Sequence, residues 1–169
     1  NGENVGAKLK IYFLPNLLTA GNLFCGFVAL TKIVEANPDS PEFTTTIRIA
    51  LFYILLACIC DLLDGRVARM GGYESPFGRE FDSLADIISF GMAPAMLLSR
   101  AVLYPLGKVG WAIALIYLVC GAMRLAKFNC LALLPKRPGA SSDFRGLPIP
   151  MAAGFIASIT FLLIDLYKK

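Results

Sequence analysis

The sequence contains no histidine. Imidazole general bases, Ser-His triads and histidine-rich zinc sites are therefore excluded. Charge is also sparse, at 17 % of 169 residues, and the net +4 lacks the interleaved arginines and aromatics of a nucleic-acid surface. Cysteine offers no framework either. The five residues Cys25, Cys58, Cys60, Cys120 and Cys130 are odd in number, and the Cys58-Ile-Cys60 spacing suits neither a redox nor a zinc pair. They read as packing residues in apolar stretches. No repeat of roughly 20–50 residues is present.

What remains is apolar. Hydrophobic residues make up 57 % of the chain and the mean hydropathy is +0.66. That composition predicts one all-α domain, a polytopic helical bundle in a membrane, over residues 1–169. Five segments approach the roughly 20 residues a bilayer requires. They run over about residues 16–34, 45–64, 81–103, 109–131 and 149–167. Residues 1–14, with Lys8, Lys10, Tyr12 and Phe13, read as an interfacial helix rather than a cleaved signal peptide. The loop over 35–43 is acidic, and that over 134–150 is basic with four prolines.

Charge bias sets the orientation. With the N-terminus inside, ten basic residues lie at the inner face: Lys8, Lys10, Arg66, Arg69, Arg79, Arg124, Lys127, Lys136, Arg137 and Arg145. Six lie outside: Lys32, Arg48, Arg100, Lys108, Lys168 and Lys169. The bias predicts an integral cell (inner) membrane protein whose carboxylates face the cytoplasm.

Those carboxylates are the feature that hydrophobic patterning does not explain. Asp61, Asp64, Asp82 and Asp86 fall at the ends of two successive spans. An ionisable group at bilayer depth costs on the order of 2.5–3.5 kcal/mol, which makes it a functional candidate by default. At about 100° per residue, Asp61, Asp64, Gly65 and Ala68 share one third of a helix, with Arg69 at its edge. Asp82 and Asp86 stand at i and i+4, one turn beyond Gly78. Between the two helices lie Gly71-Gly72 and then Ser75-Pro76, the form of an N-cap followed by a first-turn proline.

Four converging acids call for a cation. Carboxylate oxygens with open positions suit Mg²⁺, Mn²⁺ or Ca²⁺. Gly65 and Ala68 leave room for a bulky ligand near the backbone, and Arg66, Arg69 and Arg79 are suited to phosphate. Together these residues read as a diphosphate site at the membrane surface. Three alternatives stay open on the residues alone. Gly65 and Ala68 fit helix packing, and the acids fit pairing with the arginines. Intramembrane acids also suit a cation channel or transporter, although in this chain they form a band at one side. Asn22, polar within the first span, fits either a cleft or an interhelical hydrogen bond. Arg124, Lys127 and Asn129 fit a lipid phosphate, an acceptor carboxylate, or simple snorkelling.

The pattern Asp61-x2-Asp64-Gly65-x2-Ala68-Arg69-x8-Gly78-x3-Asp82-x3-Asp86 resembles, at all eight fixed positions, the signature of the CDP-alcohol phosphotransferase family. Residues 15–26, 82–94, 124–129 and 144–150 look like its phosphatidylserine synthase branch, so the resemblance covers most of the chain. It implies transfer of the phosphatidyl group of CDP-diacylglycerol to the hydroxyl of L-serine, with release of CMP. It also implies two divalent ions, Mg²⁺ or Mn²⁺, on Asp61, Asp64, Asp82 and Asp86, with Asp86 as general base. Pro15, Asn16, Thr19, Gly65, Ala68, Arg69, Ser75 and Gly78, with Asp61 and Asp82, match nucleotide-contacting positions. Asn22, Arg79, Arg124, Lys127, Asn129 and Arg145 are candidates for the acceptor or the lipid phosphate. Inositol phosphate or glycerol phosphate as acceptor, and an archaeal ether lipid as donor, remain alternatives. Family members resemble six-span homodimers, whereas this sequence shows five spans.

Overall fold

The computed structural model describes residues 13–71, 75–133 and 149–167. The expected interfacial segment before Phe13, Gly72 in the turn, the loop over 134–148 with Lys136, Arg137 and Arg145, and Lys168 and Lys169 lie outside the described residues. The described chain is helical: α1 (Phe13–Glu35), α2 (Phe43–Gly71), α3 (Pro76–Asp86), α4 (Ala93–Ala101), α5 (Lys108–Leu133) and α6 (Ile149–Tyr167). A π-helical segment, Ile87–Met92, joins α3 to α4 without a break, so these make one rod over Pro76–Ala101. Among the described residues four helices are long and apolar enough to cross a membrane: α1, α2, the α3–α4 rod and α5. The chain is an integral membrane protein. Apolar helix continues in α6 over Ile149–Ile164.

Local chemistry sets the ends. Pro15 sits in the first turn of α1, where a missing N–H costs nothing. Ser75 caps α3 in extended backbone geometry, its Oγ accepting from the Gly78 N–H at 3.0 Å, with Pro76 next. This cap starts the third span five residues earlier than hydropathy alone predicts. The second span likewise runs past Asp64 to Gly71, because Arg66 and Arg69 on its exposed side continue the helix into water. Between α4 and α5 the chain turns at Gly107, whose φ of 53° is open to a residue without Cβ.

Within a bilayer, helices associate by close packing rather than by expulsion of water. Small residues accordingly fill the contact between α1 and α2: Ala29, Ala50 and Ala57 are fully buried, and Ile33, Ile47 and Ile54 pack between them with Ala93 and Leu97 of α4. A second cluster joins Cys25, Ala57 and Phe90 to Ile149 and Ala153 of α6. Large side chains such as Phe24, Phe27, Phe52, Leu55, Trp111 and Ile116 point outward, as lipid-facing residues do. The cysteines are all free thiols, with Cys25 buried and Cys120 and Cys130 on the outward side.

The π segment has a cause in the sequence. Pro94 has no N–H for the carbonyl four residues earlier, and its ring crowds that carbonyl. The helix widens over the preceding six residues, and the Ala93 N–H bonds to Ile88 O, one residue farther back than in an α-helix. The Phe90 carbonyl, left without its usual donor, accepts from Tyr117 Oη of α5 at 2.9 Å. Ser89 Oγ donates to the Asn22 carbonyl of α1 at 3.0 Å.

Gly26 is what permits α1 to lie on this segment. A Cβ there would stand 2.2 Å from Ser89 Oγ and 2.8 Å from Ser89 Cα. The Gly26→Ala variant is expected to lose about 1–3 kcal/mol or more to overpacking. Gly21→Ala, whose Cβ would meet Cys60 Sγ at an ordinary 3.6 Å, should melt near the parent. Thermal denaturation in detergent compares them, and equal midpoints would refute the close contact.

Candidate active site

The four aspartates converge from two helices that are both held by a third. Asp61 and Asp64 lie one turn apart near the end of α2, and Asp82 and Asp86 one turn apart in α3. Carboxylate oxygens of Asp61, Asp64 and Asp82 all lie within 4.8 Å of one another. Asp86, one turn beyond Asp82 on the same helix, adjoins the trio. Asp64 and Asp86 are buried, and Asp61 and Asp82 are half-buried.

Helix α1 supplies the wall. Thr19 Oγ1, itself buried, lies 2.8 Å from Asp64 Oδ2 and 3.1 Å from the Pro15 carbonyl, and its one proton goes to the carboxylate, the stronger acceptor. Asn22 Nδ2 donates to Asp86 Oδ1 at 3.1 Å. Asn16 stands over the start of α3, its Oδ1 3.5 Å from where a Cβ on Gly78 would lie. Thus α1 bonds once to each carboxylate-bearing helix.

The donor set fits a hard divalent cation. Asp82 Oδ1 is buried with no hydrogen-bond partner, and among the described residues no Lys or Arg forms an ion pair with any of the four acids. Pairing with arginine, open on the sequence alone, is thus not what the described residues do. Arg69 Nε instead donates to the Gly65 carbonyl of its own helix at 2.9 Å, and Arg66 and Arg79 are exposed. A cluster of carboxylate oxygens with an unmet buried lone pair is what Mg²⁺, Mn²⁺ or Ca²⁺ requires. The packing explanation for Gly65 also loses ground. A Cβ there would meet only Arg69 of the same helix, at 3.7 Å, so no neighbouring helix needs the space. Ala68, half-buried, continues the same face.

The other sequence candidates divide. Pro15 is buried in the first turn of α1, and Ser75 is buried as the α3 cap. Asn129 of α5 reaches the carboxylate helix, its Nδ2 donating to Ser83 Oγ at 2.8 Å while Ser83 donates to the Arg79 carbonyl at 2.9 Å. Arg124, half-buried, and Lys127, exposed, make no ion pair with the acids. Two features were not foreseen from sequence: Ser83 as the docking point for α5, and Thr19 as a partner of Asp64. Neither contact carried a signal in the sequence, because each depends on how two helices lie side by side.

Replacing Thr19 by Val keeps the shape and removes the proton on Asp64. Mn²⁺ binding to the detergent-solubilised protein, followed by paramagnetic resonance, is expected to weaken about 10- to 100-fold, the usual cost of losing a group behind a metal ligand. Unchanged affinity would show that the cluster holds no ion through Asp64.

The family model described as CDP-alcohol phosphatidyltransferase matches residues 12–168. The chain is similar to three curated proteins named CDP-diacylglycerol–serine O-phosphatidyltransferase. The Helicobacter pylori (strain ATCC 700392 / 26695) protein is 36 % identical over 152 residues, covering 90 % of this chain and 59 % of its own length. The Bacillus subtilis (strain 168) protein is 35 % identical over 150 residues, covering 88 % and 76 %. The Saccharomyces cerevisiae protein is 35 % identical over 166 residues, covering 94 % and 57 %. The chain therefore spans a little under three fifths of the length of the Helicobacter pylori and yeast relatives. No solved structure matches it. With four converging aspartates on membrane helices and a family match over nearly the whole sequence, the chain belongs to the CDP-alcohol phosphatidyltransferase family.

Proposed function

We propose that this protein transfers the phosphatidyl group of CDP-diacylglycerol to the hydroxyl of L-serine, yielding phosphatidylserine and CMP. The observation that carries the reading is the trio Asp61, Asp64 and Asp82, with oxygens within 4.8 Å of one another and no basic partner among the described residues. Relatives named for this reaction support serine as the acceptor.

In this reading Asp61, Asp64, Asp82 and Asp86 hold a pair of divalent ions, Mg²⁺ or Mn²⁺. Such ions polarise a diphosphate and offset the charge that develops on the CMP leaving group. The rest falls to the chain. Gly65 and Ala68 leave the α2 face low enough for the nucleotide, bounded by Pro15, Asn16 and Thr19 on α1 and by Ser75 and Gly78 on α3. Arg66, Arg69 and Arg79, exposed around the cluster, bring positive charge to the phosphates. Asp86 takes the proton from the serine hydroxyl, a carboxylate serving where histidine is absent. The serine oxygen then bonds to the β-phosphorus, and the bond from that phosphorus to CMP breaks. Asn129, tied to Ser83 one residue beyond Asp82, brings the inner end of α5, with Arg124 and Lys127, to the acceptor side. The excess of basic residues at this end favours the cytoplasmic face of the cell membrane, and the family likeness favours a homodimer.

An acceptor screen tests the assignment. Purified protein with CDP-diacylglycerol and Mn²⁺ should release CMP with L-serine, and far less with inositol phosphate or glycerol phosphate. A preference for either phosphorylated acceptor would replace serine. Asp86→Asn should retain binding of CDP-diacylglycerol by calorimetry while turnover falls at least about 100-fold, the lower range for general base catalysis. A fully active Asp86→Asn enzyme would remove Asp86 as the base.

A further inference from the structure

Asn22 is fully buried in α1, yet its Oδ1 meets no donor. A buried carbonyl without a donor is unfavourable, and an aliphatic side chain would avoid it. What the amide supplies is a single N–H, donated to Asp86 Oδ1 at 3.1 Å. The orientation of the amide follows from that bond, because a carboxylate oxygen accepts and only Nδ2 can donate.

Asn22 is itself held from outside the site. Its backbone carbonyl accepts from Ser89 Oγ at 3.0 Å, three residues beyond Asp86. Ser89 reaches it because Gly26 has no side chain to keep the π segment away, and because Tyr117 takes the neighbouring Phe90 carbonyl. One residue of α1 thus grips the α3–α4 rod on both sides of the start of its irregular turn, through its side chain before the turn and its main chain within it. A π turn adds a residue to the helical repeat, which changes the direction in which preceding side chains point relative to those that follow. The double grip fixes that direction.

The geometry points to Asn22 as the positioning residue of Asp86: it holds the carboxylate in the one orientation from which the acceptor hydroxyl can be deprotonated, and it does so at a cost to packing. The inference rests on the reaction proposed above. It separates Asn22 from Thr19, which bonds to a member of the tight trio, and gives it no role in donor binding.

The test is Asn22→Leu, which keeps the branch at Cγ with added bulk and removes both the N–H and the orphaned carbonyl, with Asn22→Ala as a second variant that adds none. Positioning predicts that at least one of the two variants melts near the parent, with KM for CDP-diacylglycerol within about two-fold. It also predicts kcat reduced about 10- to 100-fold, the range for groups that orient a functional residue. Asn22→Asp, which replaces the donor by a second carboxylate, should fall further than Asn22→Leu. Unchanged kcat in the folded variants overturns the inference. So does a loss of fold in both Asn22→Leu and Asn22→Ala, or a rise in KM for CDP-diacylglycerol as large as the fall in kcat, since each marks a structural role. Parent enzyme that releases no CMP with any acceptor would instead defeat the reaction itself, a result obtained before any variant is made.

Discussion

Four negative groups gathered at the end of a membrane bundle are the constraint to which the rest of the fold answers. Two unit charges 4 Å apart repel by about 4 kcal/mol at an effective dielectric of about 20, and less polar surroundings raise that figure. No arginine among the described residues relieves the Asp61, Asp64 and Asp82 trio. The scaffold therefore has to hold the acids together against their own field. It does so with α1, which bonds Asp64 through Thr19 and Asp86 through Asn22. Two hydrogen bonds do not offset such repulsion by themselves. The balance comes from the small-residue packing of α1 on α2 and on the π segment, and a cation supplies the remainder when present.

Rigidity and openness are distributed accordingly. Around Ala29, Ile33, Ile47, Ala50 and Ile54 the helices touch with no space for larger side chains. At the carboxylate end a Cβ on Gly65 would meet no other helix within 4 Å among the described residues, and Arg66, Arg69 and Arg79 are exposed. In the reading proposed above, a site closed by packing on one side and open on the other suits a substrate with a polar nucleotide and apolar tails. In that same reading, with histidine absent, proton transfer falls to the Asp86 carboxylate, whose surroundings must then be controlled. Asn22, bonded directly to Asp86, is the side chain placed to exert that control.

The irregular turn before Pro94 links the two regions. In a regular helix the face carrying Gly78, Asp82 and Asp86 would continue into α4 at the α-helical repeat. With six residues in π geometry, the upper part of the rod packs Ala93 and Leu97 against α1 and α2 while Asp86 still faces Asn22. Ser89 and Tyr117 satisfy polar groups at the turn. The distortion is therefore stabilised from two neighbouring helices and not from within its own.

The order of spans, the side of the helix on which each aspartate lies, the Ser75 cap and the absence of imidazole chemistry were all legible in the residues. Each depends on hydropathy, on a period of 3.6, or on local backbone chemistry. The irregular turn before Pro94 was not foreseen in the third span, which hydropathy read as one regular helix. Other features were not legible: Thr19 meeting Asp64, Asn22 choosing Asp86, Asn129 reaching Ser83, and Gly26 lying against Ser89. Spacing along one helix says which side chains share its face, but nothing about how far a second helix has slid or turned beside it. Those rotations and translations are set by the whole packed interface, and only the tertiary structure decides them.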